Sequence, residues 1–265
     1  MKSLDLAKYI RKTSLRLVSR ANASHIGGSL SVADVLAVLY ADVMRYRPNE
    51  PLWDGRDRLM LSKGHTCVAL YSALAAVGFI DETLLDEYGT DGTQLLCHVS
   101  HLIPGVEMSA GSLGHGLPIA VGMALAAKIK SATYRTFVIL GDGEMDEGAN
   151  WEALMFAAQQ KLNNLCAIID FNCQQAMGNT VDIINLEPIV DKLESFGANV
   201  MRVDGHNHDT LYEAFDKFTR CDNRPTVIVA DTVKGKGVSF MENRLKWHYS
   251  APDTNLLQQA LADLE

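Results

Sequence analysis

Five short apolar runs, each followed at once by glycine together with charged or imidazole residues, constrain this 265-residue chain more than any other feature. Leu59 to Leu61 runs into Lys63-Gly64-His65, and Thr136 to Leu140 into Gly141-Asp142-Gly143. Leu165 to Ile169 runs into Asp170-Phe171-Asn172, and Asn199 to Val203 into Asp204-Gly205-His206. Thr226 to Ala230 runs into Asp231 and Lys234-Gly235-Lys236-Gly237. Apolar runs this short, bounded by turn residues, read as buried strands. Helical patterns lie through Val68, Leu70 and Leu74, and near Trp151 to Gln160, Pro188 to Phe196 and Thr210 to Phe218. The alternation predicts an α/β fold, a parallel sheet with helices on both faces. Ligands bind such a sheet at the carboxyl ends of its strands, so the polar clusters are expected to converge on one crevice.

Upstream of the first strand, Leu6, Ile10, Leu17 and Val18 share one helical face, and Ser31 reads as the N-cap of a second helix through Val35, Leu36 and Leu39. Gly89 to Gly116 has little periodicity and holds six of the twenty glycines, which suits a functional loop system. No repeat or linker divides the chain, so residues 1–265 read as a single domain.

Composition removes several classes of partner. The formal charge is −8 and no long basic run occurs, which argues against nucleic acid and anionic membranes and for a small-molecule site. Cys67, Cys97, Cys166, Cys173 and Cys221 are odd in number and follow neither disulfide nor zinc spacing, which points to a reducing, cytoplasmic setting. Lys8, Arg11, Lys12 and Arg16 break up the N-terminal apolar residues, unlike the centre of a signal peptide.

The strand-end cluster with the most specific chemistry is Gly141-Asp142-Gly143. The glycines let the backbone approach a ligand, and free amides in such a turn favour an anion. A bare Asp142 carboxylate would repel phosphate there. A divalent cation between them resolves the conflict, and magnesium is commonly held by one or two protein oxygens plus substrate phosphates. Asn172, with 28 residues between it and Gly143, stands where one strand-helix-strand unit returns the chain to the same edge, and is the expected second ligand.

Gly-Asp-Gly followed after about thirty residues by Asn resembles the thiamine diphosphate motif. The wider pattern resembles the transketolase family along essentially the whole chain. Ala23-Ser24-His25-Ile26-Gly27-Gly28, Asp57-Arg58-Leu59 to Lys63-Gly64-His65, Pro104-Gly105-Val106-Glu107, Gly111-Ser112-Leu113-Gly114-His115-Gly116 and Val203-Asp204-Gly205-His206 match family segments in the same order. The Lys-Gly-His and Gly-Ser-Leu-Gly-His-Gly variants, in a chain ending near 265, look like the N-terminal subunit of a split transketolase.

The resemblance implies a thiamine diphosphate-binding domain and two-carbon ketol transfer from a ketose to an aldose, with sugar phosphates as the expected substrates. Asp142 and Asn172 would hold Mg2+ (or Ca2+ or Mn2+) through side chains, and Gln174 through its carbonyl. Gly143 would offer its amide to the diphosphate beside Gly141, with His65 and His248 near it, while Gly111, Ser112 and Leu113 would line the aminopyrimidine and centre of the cofactor. His25 and His98 match catalytic histidines that face the sugars, and Glu147 matches an acidic residue near the subunit interface, close to the cofactor. The family's activating glutamate belongs to a pyrimidine-binding domain, expected here on a partner C-terminal subunit in a heterotetramer of two copies of each chain.

Four positions depart from the family pattern. Cys173 stands where a small residue is usual, Gln174 where an apolar one is common, Tyr249 where glycine is usual, and Leu96-Cys97-His98-Val99-Ser100 replaces Gly-His-Pro. A noncatalytic cofactor-binding paralogue, or half of another thiamine enzyme such as a 1-deoxyxylulose phosphate synthase-like protein, are the alternatives.

Overall fold

The computed structural model describes residues 1–221 and 223–265. Helices α1 (Ser3–Ala21), α2 (Ile26–Ser31) and α3 (Ala33–Val38) precede β1 (Arg58–Leu61), α4 (Cys67–Ala76), α5 (Gly116–Ile129) and β2 (Thr136–Gly141). Then follow α6 (Gly148–Gln159), β3 (Leu165–Phe171), a hairpin of β4 (Gln174–Gln175) and β5 (Gly178–Asn179), α7 (Thr180–Ile183) and α8 (Ile189–Ser195). The chain closes with β6 (Asn199–Asp204), α9 (His208–Thr219), β7 (Thr226–Asp231) and α10 (Thr254–Asp263).

The five long strands form one parallel sheet in the order β1-β2-β3-β7-β6. Its core divides by strand alternation. Leu59, Leu61, Phe137, Ile139, Cys166, Ile168, Ile228 and Ala230 face a layer built from α1 to α4 and α9. The intervening Met60, Val138, Leu140, Leu165, Ala167, Ile169, Val227 and Val229 face α5, α6 and α8. This is the period-2 consequence of a sheet covered on both sides, and it explains why the strands read as continuous apolar runs. None of the described helices is long and apolar enough to cross a membrane.

Ser31 is not an N-cap. It ends α2, and Val32 begins α3 without a side-chain bond. The Ser31 hydroxyl lies 2.9 Å from the Gly28 carbonyl and 2.6 Å from Asp170 Oδ2. A fully buried carboxylate across the sheet is a stronger acceptor to satisfy than a helix end needing a cap.

Residues 89–115 contain no helix or strand, yet they are firmly attached. Tyr71 of α4 donates its hydroxyl to the His98 carbonyl (3.1 Å) and accepts the Ser100 amide (3.0 Å). Val99 donates its amide to the Gly64 carbonyl at 3.0 Å, and Ala110 donates to the Val99 carbonyl at 3.2 Å. Gly64 permits this approach, since a Cβ there would fall 2.1 Å from the Ala110 carbonyl oxygen.

Candidate active site

A cavity of about 270 Å³ opens at the carboxyl ends of β1, β2, β3 and β7. It is lined by His25, His65, His98 and His248, by Gly111 and Leu113, and by Gly141, Asp142, Gly143, Asn172 and Gln174. Ser112 and Glu147 lie outside the lining; both are exposed, and the Glu147 side chain rests against Gly114. The convergence expected of all five strand ends is realised by four. Asp204-Gly205-His206 follows the edge strand β6, and His206 turns instead to Asp34 of α3.

Asp142 begins a single 3-10 turn, Gly143–Asp146, directly after β2. Its Oδ1 accepts the Gly143 amide (2.8 Å) and its Oδ2 the Thr180 hydroxyl (3.2 Å). Burial, and then the nearby Asp170 charge, push its carboxyl up to about 6. Asp170 is itself fully buried, yet Lys63, Ser31 and Thr232 all donate to it. Burial alone would raise its pKa, and the Lys63 charge with these hydrogen bonds outweighs that and holds it below the usual carboxylate range.

Asn172 turns its Oδ1 to the Gln174 amide at 3.2 Å, closing the turn out of β3. Cys173 between them takes φ +62°, and its carbonyl accepts the Thr180 amide at 2.9 Å across the base of the small hairpin. The left-handed conformation is one that glycine adopts more readily, which accounts physically for the small residue usual there.

Two lysines that sequence reasoning left among the turn residues line the same cavity. Lys63 pairs with Asp170, and Lys234 donates to the Gln174 carbonyl at 3.1 Å with its Nζ 3.0 Å from His248 Nδ1. Burial and the proximity of Lys63 bring Lys234 down to about 8. Their signal was present in Lys-Gly-His and Lys-Gly-Lys-Gly, where a cation next to glycine at a strand end suits an anion as well as a turn. Glu144, also missed, is buried and holds the site's walls: Gly114 (3.0 Å), Gly141 (3.1 Å) and Ser62 all donate to its carboxylate.

The four imidazoles cluster. The His25 ring lies 5.0 Å from that of His65, 5.9 Å from His98 and 5.2 Å from His248. His25 has φ +72° at the start of α2 and donates its amide to the His248 carbonyl at 2.8 Å, which joins the two segments. Burial, then His98, lowers His25 to about 4, and burial, then Lys234, lowers His248 to about 3. Burial and Lys63 hold His65 well below its ordinary value. These three rings are therefore neutral at pH 7, each with one ring nitrogen to accept a hydrogen bond.

The donor set suits a hard cation. Asp142, Asn172 and the Gln174 carbonyl offer oxygen alone, and the Gln174 side-chain oxygen is buried without a donor. No group of three or more His, Cys, Asp or Glu among the described residues has the geometry of a metal cluster. One carboxylate, one amide oxygen and one carbonyl leave room in an octahedral shell for a ligand's own oxygens, and the two lysines suit an anionic ligand. These residues fit a divalent metal carrying a diphosphate.

Residues 3–262 match the family model of the transketolase, thiamine diphosphate binding domain. The chain is 43% identical over 260 residues to the 6-deoxy-6-sulfo-D-fructose transketolase subunit SqwG of a Clostridium species, covering 98% of this chain and 94% of that protein. It is 41% identical over 254 residues to an apulose-4-phosphate transketolase subunit of Phocaeicola vulgatus, covering 96% of this chain and 90% of that protein. The crystal structure of transketolase from Campylobacter jejuni superposes with a TM-score of 0.91 at 28% identity, covering 99% of this chain and 42% of that one. The chain thus spans less than half the length of that solved transketolase.

Proposed function

We propose, because this chain belongs to the transketolase family, that it is the thiamine diphosphate- and metal-binding subunit of a two-chain transketolase. Its activity is transfer of a two-carbon ketol unit from a ketose to an aldose. The observation that carries this reading is the meeting of Asp142, Asn172 and the Gln174 carbonyl with Lys63, Lys234 and four histidines in one cavity at the sheet edge.

In this reading Asp142, Asn172 and the Gln174 carbonyl hold Mg2+, while Lys63, Lys234, His65 and His248 face the diphosphate, and the Gly143 amide, bonded to Asp142 Oδ1 at 2.8 Å, would turn to the diphosphate once the cation takes that carboxylate. Gly141 lets the backbone come close to it. Gly111 and Leu113 line the middle of the cofactor, with Ser112 and Glu147 toward the partner. Bound thiamine diphosphate would supply the electron sink for making and breaking the carbon–carbon bond. His25, neutral at pH 7, presents its lone pair to a sugar hydroxyl and would shuttle its proton once the anionic cofactor and sugar offset the burial that lowers its pKa, and exposed His98 at the mouth orients the second sugar. Both relatives named above carry an anionic sugar in their names, and an anionic sugar such as a sugar phosphate is the substrate class proposed here.

The partner is a C-terminal subunit with a pyrimidine-binding domain, assembled as two copies of each chain. Met155 and Phe156 of α6 and Ile129 at the end of α5 are exposed on strongly apolar helices, which supports a covered surface there. The single domain covers residues 1–265, and five free thiols suit a reducing cytoplasm. Titration calorimetry with Mg2+ and thiamine diphosphate, followed by a ketol-transfer assay with the partner chain, tests the reading. Absence of Mg2+-dependent cofactor binding in the assembled protein would overturn it.

A further inference from the structure

The Asp204-Gly205-His206 cluster lies outside the cavity, and the site described so far makes no use of it. Its imidazole nevertheless touches the main chain that carries Lys234. His206 Nε2 lies 2.8 Å from the Val233 amide nitrogen, and His206 Nδ1 lies 2.6 Å from Asp34 Oδ2. A backbone amide can only donate, so Nε2 must carry the lone pair and Nδ1 the proton, which Nδ1 donates to Asp34. The ring therefore has one tautomer and one orientation.

Asp34 is braced in turn. Arg11 of α1 donates to it with both guanidinium Nη atoms, the first at 3.0 Å, and His208 Nε2 lies 3.0 Å from its Oδ1. On the far side of the turn, Gly235 has φ +82° and donates its amide to the Gly27 carbonyl at 2.9 Å, while the Lys234 carbonyl accepts the Asn243 amide at 2.9 Å. Val233 is thus held by His206, Gly235 by α2, and the lysine between them has its backbone set before its long side chain enters the cavity. An unbraced lysine retains the rotamer freedom of a four-carbon stem, and main-chain drift at residue 233 would carry its ammonium away from Gln174 and His248.

We propose that His206 is a positioning residue for the Lys234 ammonium, acting through the Val233 amide, with Asp34 fixing the imidazole tautomer. The inference rests on the reading of the cavity as a diphosphate site. A purely structural hydrogen bond would alter global stability alone; a positioning role couples His206 to the anion through Lys234.

The test uses the chain assembled with its C-terminal partner and titration calorimetry with Mg2+ and thiamine diphosphate. His206→Asn keeps a donor toward Asp34 and leaves the Val233 amide without an acceptor, while His206→Gln places an amide oxygen near the Nε2 position. His206→Asn should weaken cofactor affinity about tenfold in the wild-type background and less than twofold in a Lys234→Met background. His206→Gln should recover affinity to within about threefold of wild type. Nitrogen-15 spectra of the wild-type ring should show a proton on Nδ1 and a bare Nε2. Wild-type binding with equal losses in both backgrounds, unchanged affinity in His206→Asn, or a protonated Nε2 each overturns this inference alone. Absence of binding by the assembled wild-type protein overturns the diphosphate reading and the inference with it.

Discussion

Ser62 and Glu144 stand 82 positions apart in the chain and meet in a buried hydrogen bond that ties the end of β1 to the turn after β2. The Gly116 amide donates to the same Ser62 oxygen at 3.1 Å, so the start of α5 is fixed to this pair. The cavity floor is therefore built from three segments that share one carboxylate.

Glu144→Ala should leave the Ser62 hydroxyl and the Gly114 and Gly141 amides without their acceptor. A loss of about 3 kcal/mol in unfolding free energy is expected, measured by urea denaturation. A loss below about 1 kcal/mol would mean that water or a neighbouring group replaces the carboxylate.

Asp142→Asn should act in opposite directions on the free chain and on cofactor binding. The folded carboxyl lies near 6, above the unfolded value of about 3.9, so ionisation costs the free protein stability as pH rises through that window. The contribution is fully present below about pH 4 and lost above about pH 6. The variant should therefore unfold at higher temperature than wild type at pH 8, by about 2 kcal/mol in stability, with the advantage vanishing near pH 4. Its Mg2+-dependent affinity for thiamine diphosphate should fall by about 2 kcal/mol or more, because the cation loses its anionic ligand. Thermal melts across pH and calorimetry read the two effects separately.

His25→Ala and His98→Ala should each lower kcat/KM of the assembled enzyme by about a hundredfold, the lower end of general acid–base effects. Cofactor affinity should stay within about twofold, since the proposed role of both rings is toward sugar. Collapse of affinity together with turnover would reassign them to the cofactor.

The chain alone should show no ketol transfer, and a mixture with its C-terminal partner should show it. The motivation is that both relatives named above are transketolase subunits by name and that this chain spans 42% of the Campylobacter jejuni transketolase, together with the exposed apolar side chains of α6. Copurification and assays of each chain and of the mixture decide the point, and robust turnover by the single chain would direct attention to Glu147.

Much of the fold was legible because its strands are buried on both faces. Thr136 to Leu140 and Leu165 to Ile169 match β2 and β3 to within two residues, since Gly and Asp mark their ends. That Asp142 and Asn172 come to one cavity at the same sheet edge followed from the length of a single crossover. Ser31 was misread because its partner, Asp170, is 139 positions away, and capping rules see only local sequence. The strand end at Asp204 does not join the cavity because β6 lies beyond β7, two strands from β3, whereas β1 adjoins β2, a placement that strand spacing alone does not determine. Lys63 and Lys234 were visible in the sequence, but their selection required seeing that both side chains enter the same space.

The attachment of residues 89–115 to Gly64 and Tyr71 bears on how fast the enzyme can work. A segment fixed by main-chain bonds to the sheet edge and by a buried tyrosine to α4 is a wall and not a lid. Loop opening is then not expected to gate the approach of sugar, and kcat/KM of the assembled enzyme should respond to solvent viscosity. The amides of Val99 and Ala110 would accordingly exchange with solvent hydrogen on the slow timescale of core strands, although they belong to a stretch with no regular structure.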